Sequence, residues 1–125
     1  MSTISIFHDQ MEFLQAGDVE LGTLEAEHLA NALIEEEWGE LIWEDFYLGT
    51  PSNIGSIKEA LDLMYVTAQY LNVTIGADKA KECWDALHAN NMSKCVDGKL
   101  VKRNDGKVLK PEGYKPLNLQ EVLNA

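Results

Sequence analysis

The chain has no long apolar run, few cysteines and few basic residues, and each shortage excludes a class of protein. No apolar stretch approaches the about 20 residues of a membrane span, and the first residues lack the basic segment and apolar core of an export signal. We therefore expect a cytoplasmic protein that does not insert into a membrane. Two cysteines, Cys83 and Cys95, have neither metal-binding nor redox spacing and are expected to be reduced thiols. Ten Lys and Arg against 21 Asp and Glu, a net charge of −11, argue against a nucleic-acid polymer as partner.

The charge is unevenly distributed along the 125 residues. Residues 1–93 contain 17 acidic and three basic residues, a net charge of −14, whereas residues 94–125 contain four acidic and seven basic residues, a net charge of +3. The length fits one domain. We predict a single domain over 1–125, with a helical body at about 4–94 and a basic hairpin and tail at about 95–125. Such a distribution suits a protein that holds a metal ion and a polyphosphate together.

Apolar residues at helical spacing predict an all-α fold with four helices. The first should cover 4–16 and the second should run from an N-cap at Thr23 to about Tyr47, with Gly39 as its weak point. A loop at 49–53 should provide Ser52 or Asn53 as the next cap. The third helix is expected at about 54–74. The fourth should begin at an Asp78 cap and run to about Asn91, with the inward residues Ala80, Cys83, Trp84 and Leu87.

After the fourth helix the pattern changes. Two Asp-Gly pairs, at 97–98 and 105–106, lie between short strand-like segments and predict a small hairpin. The remainder, with three residues that disfavour regular structure (Pro111, Gly113 and Pro116), is predicted to be an extended tail.

The third helix is apolar on nearly all sides. Ile57, Leu61 and Met64 lie on one face, and Val66 and Val73 lie on the other. A helix of this kind is buried on both sides. With only four helices in the chain, the pattern favours a central position and a partner subunit that completes the bundle.

Two pairs of acidic residues lie on helix faces that also carry apolar residues. Glu37 and Glu40 share a stripe with Leu33 on the second helix, and Glu59 and Asp62 are flanked by apolar residues on the third. A run of glutamates more commonly forms a solvated helix face, and acidic pairs at this spacing are no more frequent here than chance predicts. However, burial of unpaired carboxylates is unfavourable. If the two helices are antiparallel neighbours, the four groups converge and require a hard divalent cation, Mg²⁺ or Mn²⁺, which is also what hydrolysis of a phosphoanhydride needs.

A di-iron carboxylate bundle is a weaker interpretation, since it would require Glu-x-x-His on two helices and the chain offers only Asp85-x-x-His88. The basic end of the chain suits a triphosphate better, because ammonium groups there would neutralise oxygens that the metal leaves uncovered. The candidate substrate-binding residues are His88, Asn91, Lys94, Lys107, Lys110 and Tyr114.

Ordered motifs across residues 31–119 resemble the MazG-like, all-α nucleoside triphosphate pyrophosphohydrolases, especially the short single-domain forms carried by bacteriophages. The motifs are Glu36-Glu37-x-x-Glu40, Glu59-x-x-Asp62-x-x-Tyr65, His88-x-x-Asn91-Met-Ser-Lys94, Asp105-Gly-Lys107-Val-Leu-Lys110 and Tyr114-x-Pro116.

The resemblance implies a MazG-like helical bundle that hydrolyses (deoxy)nucleoside triphosphates to the monophosphate and pyrophosphate, with Mg²⁺ and attack of a metal-activated water at the α-phosphorus. It implies that the metal ligands are Glu37, Glu40, Glu59 and Asp62. Glu36 would be an outer ligand or orient the attacking water, and Asn91, Lys94, Lys107, Lys110 and Tyr114 would contact sugar or phosphates. It also implies a homodimer or homotetramer. A helical module that senses a nucleotide without hydrolysing it, or a dimerisation module, is the alternative interpretation.

Overall fold

A computed structural model describes residues 5–47 and 54–125, with only the backbone of Phe46 and Tyr47. The structure is mostly helical and has one small antiparallel sheet, which confirms the all-α class in broad terms. Within the described ranges, none of the helices combines the length and hydropathy needed to cross a bilayer. The elements in chain order are α1 (Ile6–Ala16), α2 (Leu24–Ile42), a π-helical turn (Trp43–Tyr47), α3 (Ile54–Ile75), α4 (Ala77–Met92), β1 (Cys95–Val96), β2 (Lys99–Leu100) and α5 (Leu119–Asn124).

The chain forms two compact units, residues 1–80 and 81–125. Unit 1 contains α1, α2, the π-helical turn and α3, and α4 begins in it. Unit 2 contains most of α4, the hairpin and α5. The division lies at residue 80, whereas the sequence pattern changes character at about residue 94. The two units differ in net charge. Unit 1 has 15 acidic and two basic residues, whereas unit 2 has six acidic and eight basic residues.

The core of unit 1 lies where α1 and α2 pack against α3. Leu14 of α1, Ala30 of α2 and Val73 of α3 are almost completely buried. Small residues at Ala26 and Ala30 allow α2 to approach α3 closely. The two helices are antiparallel, since the Gly22 amide before α2 donates to the Val73 carbonyl near the end of α3 at 2.8 Å, while the second half of α2 meets the beginning of α3.

Side-chain caps define the starts of the first two helices. Ser5 caps α1, where its hydroxyl accepts from the His8 amide at 3.4 Å. Thr23 caps α2, where its hydroxyl accepts from the Ala26 amide at 3.1 Å. The predicted Thr23 cap is therefore confirmed. The predicted loop at 49–53 and its capping residues lie outside the described part of the chain.

The second helix does not keep α geometry to Tyr47 as predicted. Its α-helical part ends at Ile42, and the chain continues as a π-helical turn over Trp43–Tyr47. π-Helical turns are rare and are frequently found at functional sites. This turn adjoins the candidate site described below.

The third helix has the two apolar faces that its sequence predicts. Val73 and Ala68 are buried near its end, whereas Ile57, Leu61 and Met64 nearer its beginning are 51%, 60% and 53% exposed. The apolar face is therefore only partly covered within unit 1. Contiguous exposed apolar surface of this kind is typical of interaction sites.

Two predictions for the fourth helix are wrong. The helix begins at Ala77, so Asp78 lies in its first turn rather than at its cap, and the Asp78 carboxylate accepts from His8 Nε2 at 2.8 Å. Trp84 and Leu87, predicted to point inward, are 54% and 39% exposed. Helical periodicity identifies an apolar face, but it does not show whether another element covers that face.

The hairpin is confirmed and the extended tail is partly wrong. Asp97 and Gly98 join β1 to β2 with φ angles of 53° and 79°, the left-handed conformations that a two-residue hairpin turn requires. A bridge between Lys102 and Val108 encloses the second Asp-Gly turn. The tail contains α5, which the sequence did not predict and which begins at an Asn118 cap.

Candidate metal centre

Three carboxylates from two helices come together in unit 1. Glu37 and Glu40 lie one turn apart near the end of α2, and Glu59 lies in the second turn of α3. One oxygen from each carboxylate lies within 4.8 Å of the others. The antiparallel packing of α2 on α3 produces this convergence, because it places the last turns of one helix beside the first turns of the other.

Two oxygens of this cluster are buried without a partner. Glu37 Oε2 and Glu59 Oε2 are inaccessible to solvent, and no described group forms a hydrogen bond with either. A buried, unsatisfied polar atom typically destabilises a fold by about 1–3 kcal/mol, more when it is charged. Within the described residues the fold therefore leaves two carboxylate oxygens inaccessible to solvent and without a hydrogen bond.

The surroundings of Glu40 and Glu37 raise the pKa of both carboxyl groups. The pKa of Glu40 is raised to about 7, first by the hydrogen bond between its protonated carboxyl and Glu59, then by desolvation and by the charge of Glu37. The pKa of Glu37 is also raised, chiefly because of desolvation and also because of the negative charges of Asp62 and Glu59. The cluster therefore retains a proton near neutral pH unless a cation replaces it.

Asp62, the fourth predicted ligand, interacts with a lysine instead. Its Oδ2 accepts from Lys58 Nζ at 2.6 Å, and the two side chains are 36% and 68% exposed. This pair raises the pKa of Lys58. The Asp62 charge still acts on Glu37, so Asp62 is near the cluster although its carboxylate is not part of it.

A cavity of about 400 Å³ lies beside the cluster. It shares Glu40 and Glu59 with the cluster and extends along the outer side of α2 into the π-helical turn. Glu36, the predicted outer residue, is exposed and lines this cavity. Among the residues that the structure describes, the lining consists of Glu36, Gly39, Glu40, Trp43, Glu44 and Glu59.

The donor set suits a hard divalent cation. All the converging atoms are carboxylate oxygens, which Mg²⁺ and Ca²⁺ prefer to nitrogen or sulfur. Two of these oxygens have no hydrogen-bond partner among the described residues. The residues present therefore fit a metal such as Mg²⁺, although acidic clusters on protein surfaces are common without one.

In unit 2 the structure brings together four of the predicted substrate-binding residues. The ammonium groups of Lys94 and Lys110 lie 5.8 and 5.6 Å from the centre of the Tyr114 ring, and Lys94 Nζ donates to Asn91 Oδ1 at 3.3 Å. His88 is exposed on α4. Lys107 is exposed in the second turn, where its amide donates to Asp105 Oδ1.

Sequence reasoning missed three residues that shape these regions. Asn90 holds the tail of unit 2, because its Oδ1 accepts from Tyr114 at 2.6 Å and its Nδ2 donates to the Lys115 carbonyl at 2.8 Å. Gly39 and Trp43 line the cavity in unit 1. Their helical spacing from Glu36 and Glu40 was the available signal, since positions 36, 39, 40 and 43 share one side of a helix.

A comparison of the chain with protein-family models gives no match, and a comparison with curated proteins gives no significant match.

Proposed function

We propose that this protein is a MazG-like helical pyrophosphohydrolase that converts (deoxy)nucleoside triphosphates to the monophosphate and pyrophosphate with Mg²⁺. The observation that carries the proposal is the convergence of Glu37, Glu40 and Glu59, with two buried oxygens that lack a partner among the described residues. The ordered motifs of the sequence supply the reaction type. Neither observation alone would be sufficient, because acidic clusters occur without metals.

The metal would be held by Glu37, Glu40 and Glu59. When bound, Mg²⁺ would neutralise phosphate charge and lower the pKa of a coordinated water. Asp62 would join the set on release from Lys58, whose ammonium group otherwise neutralises its carboxylate. The exposure of the two side chains, 68% for Lys58 and 36% for Asp62, leaves both in contact with solvent where such an exchange would occur.

Glu36 is the residue that we propose to interact with the proton of the attacking water. Its carboxylate is exposed, lines the cavity and lies on the same side of α2 as Glu40. A carboxylate in this position can accept a proton from an attacking water or orient it by a hydrogen bond. Glu37 and Glu40 would act as ligands and also position α2 relative to the reacting phosphate.

The proposed phosphate- and sugar-binding groups lie in unit 2. Lys94 and Lys110 place two positive charges beside the Tyr114 ring, and Asn91 holds Lys94. Charge-assisted hydrogen bonds from ammonium groups suit phosphate oxygens. We include His88 and Lys107 in the proposal on the resemblance alone.

Homodimers or homotetramers are part of the proposal. The beginning of α3 presents Ile57, Leu61 and Met64 to solvent. Phe13 of α1 is also exposed and packs edge-to-face on Tyr65 beside them, with ring centres 5.6 Å apart. A second copy of the chain would bury this surface.

The direct test is release of pyrophosphate from each common nucleoside triphosphate in the presence of Mg²⁺. We expect activity that disappears with a chelator, and a Glu40→Gln variant that loses activity by about two orders of magnitude or more. In metal-free buffer its thermal stability should be unchanged or higher, because the substitution removes a repulsive charge. Glu35→Gln is the matched control, since Glu35 is exposed on the same helix outside the cavity lining.

Product analysis decides between hydrolysis and sensing. Pyrophosphate and monophosphate support the proposal, whereas release of inorganic phosphate would indicate a different bond. A folded protein that binds a nucleotide with Mg²⁺ and leaves it unchanged would refute the enzymatic function and support the sensing module.

A further inference from the structure

The cavity beside the carboxylates is also lined by residues that metal binding does not explain. Gly39 of α2 is one of them, and Trp43 follows one turn further along the same side. The carboxylates of Glu36 and Glu44 also line it. These four residues lie outside the Glu37, Glu40 and Glu59 cluster.

The glycine at position 39 lowers the stability of α2, so its presence calls for an explanation. A helix is less stable with glycine than with alanine in its interior. A Cβ added at Gly39 would meet no atom within 4 Å among the described residues, and its φ is not in the left-handed region. The described packing and backbone conformation therefore give no reason for a glycine, whereas close approach of a ligand to the helix would give one.

Trp43 offers a flat apolar surface at the same cavity. It is 54% exposed and begins the π-helical turn. Trp38, on the same helix, is 53% exposed but does not line the cavity. Exposed aromatic side chains of this kind stack on nucleobases.

The polar groups that line the cavity favour one class of nucleobase. Its charged side chains in the described lining are all glutamates, and ionised carboxylates only accept hydrogen bonds. A base edge with an exocyclic amino group donates to such acceptors. Uracil and thymine instead present two carbonyl oxygens beside a single N–H, and these oxygens would face the carboxylates unfavourably.

We infer that Gly39 and Trp43 form a nucleobase subsite in which an amino-bearing base stacks on the Trp43 indole against the bare helix at Gly39, with Glu44 accepting from its amino group. The inference rests on the proposed function, because it takes the ligand to be a nucleotide. It gives a role to Glu44, which lines the same cavity as Gly39 and Trp43.

Tryptophan fluorescence tests the subsite without turnover. The probes are the α,β-methylene analogues of dCTP and dUTP with Mg²⁺, which resist cleavage at the α-phosphorus and differ in the base only at position 4, amino against carbonyl, and in the proton on N3. A Trp38→Phe/Trp84→Phe variant retains Trp43 alone, and a Trp43→Phe/Trp84→Phe variant retains Trp38 alone. We expect the cytosine analogue to quench Trp43 strongly, the uracil analogue to bind about 10-fold more weakly, and neither to quench Trp38.

Two substitutions test the same surface by affinity. Trp43→Ala should weaken binding of the cytosine analogue about 10-fold, while Trp38→Ala should leave it unchanged. Gly39→Ala should raise the melting temperature by a few degrees and still weaken binding. A gain in stability accompanied by a loss of affinity cannot result from misfolding.

Failure of this inference can be separated from failure of the proposed function. Pyrophosphate release with equal affinity in Trp43→Ala and Trp38→Ala would overturn the subsite and leave the activity standing. Selective quenching of Trp43 without turnover of any triphosphate would support the subsite and overturn the hydrolase. Equal affinity for the two analogues would overturn the assignment of an amino-bearing base.

Discussion

The carboxyl group of Glu40 is strongly affected by its acidic neighbours in unit 1. It is bonded to Glu59, faces the charge of Glu37 and has a pKa of about 7, against an ordinary value near 4.5. Its neighbours Glu37 and Glu59 each bury one oxygen without a partner among the described residues. A small change in proton or cation concentration should therefore change the charge state of Glu40 first.

The metal-free protein should become less stable as the pH rises from about 4.5 to about 7. The folded state binds more protons than the unfolded state in this window, because the pKa of Glu40 is raised on folding, so stability decreases with pH. The raised pKa of Glu37 acts in the same direction. Thermal unfolding at a series of pH values, in the presence of a chelator, measures the slope.

Two further measurements identify the source of this pH dependence. Glu40→Gln should flatten the slope of stability against pH. Excess Mg²⁺ should raise the melting temperature most above pH 7, where the carboxylates are ionised and bind the ion best. A slope that persists in Glu40→Gln, or stabilisation by Mg²⁺ that is equal at pH 5 and pH 8, would contradict the assignment.

At the scale of the elements, a buried polar network ties α1 to α3. Asn72 Nδ2 donates to the Phe7 carbonyl at 2.8 Å and to Gln10 Oε1 at 2.9 Å, and Gln10 Nε2 donates to Gln69 Oε1 at 3.2 Å. Gln10 and Asn72 are essentially inaccessible. Directional bonds of this kind set the register of two helices where apolar contacts alone would allow sliding.

Asn72→Ala should destabilise the protein by about 2 kcal/mol, because it leaves Gln10 Oε1 buried without its donor. Urea denaturation measures the change. Asn31→Ala is the reference, since Asn31 is exposed on α2 and its replacement should change stability by no more than about 0.5 kcal/mol. Equal effects of the two substitutions would show that the network contributes no stability.

At the scale of the whole molecule, the uncovered face of α3 and the uneven charge are the main features. Ile57, Leu61 and Met64 are each more than half exposed, although their side chains are apolar. Unit 1 combines 15 acidic residues with two basic ones. An association that buries this face must therefore be driven by apolar contact and must keep most carboxylates in solvent.

Leu61→Lys should convert the proposed oligomer to a monomer of about 14.0 kDa. A lysine in the centre of the apolar surface would be buried without a partner in the interface. Light scattering coupled to size-exclusion chromatography measures the mass, and Leu100→Lys, an exposed position on β2, is the control. A wild-type chain that is monomeric at high concentration would refute the proposed association.

The sequence alone predicted the helical segments of the body, the Thr23 cap, the Asp-Gly hairpin and a group of four carboxylates, Glu37, Glu40, Glu59 and Asp62, of which the first three converge. These features depend on local spacing and on the unfavourable burial of charge, which a sequence displays directly. Only the tertiary structure decided that Asp62 pairs with Lys58, that α2 ends in a π-helical turn, that Trp84 remains exposed and that Gly39 and Trp43 border a cavity. Each depends on which groups become neighbours in space, and the periodicity of one helix contains no information about what lies opposite it.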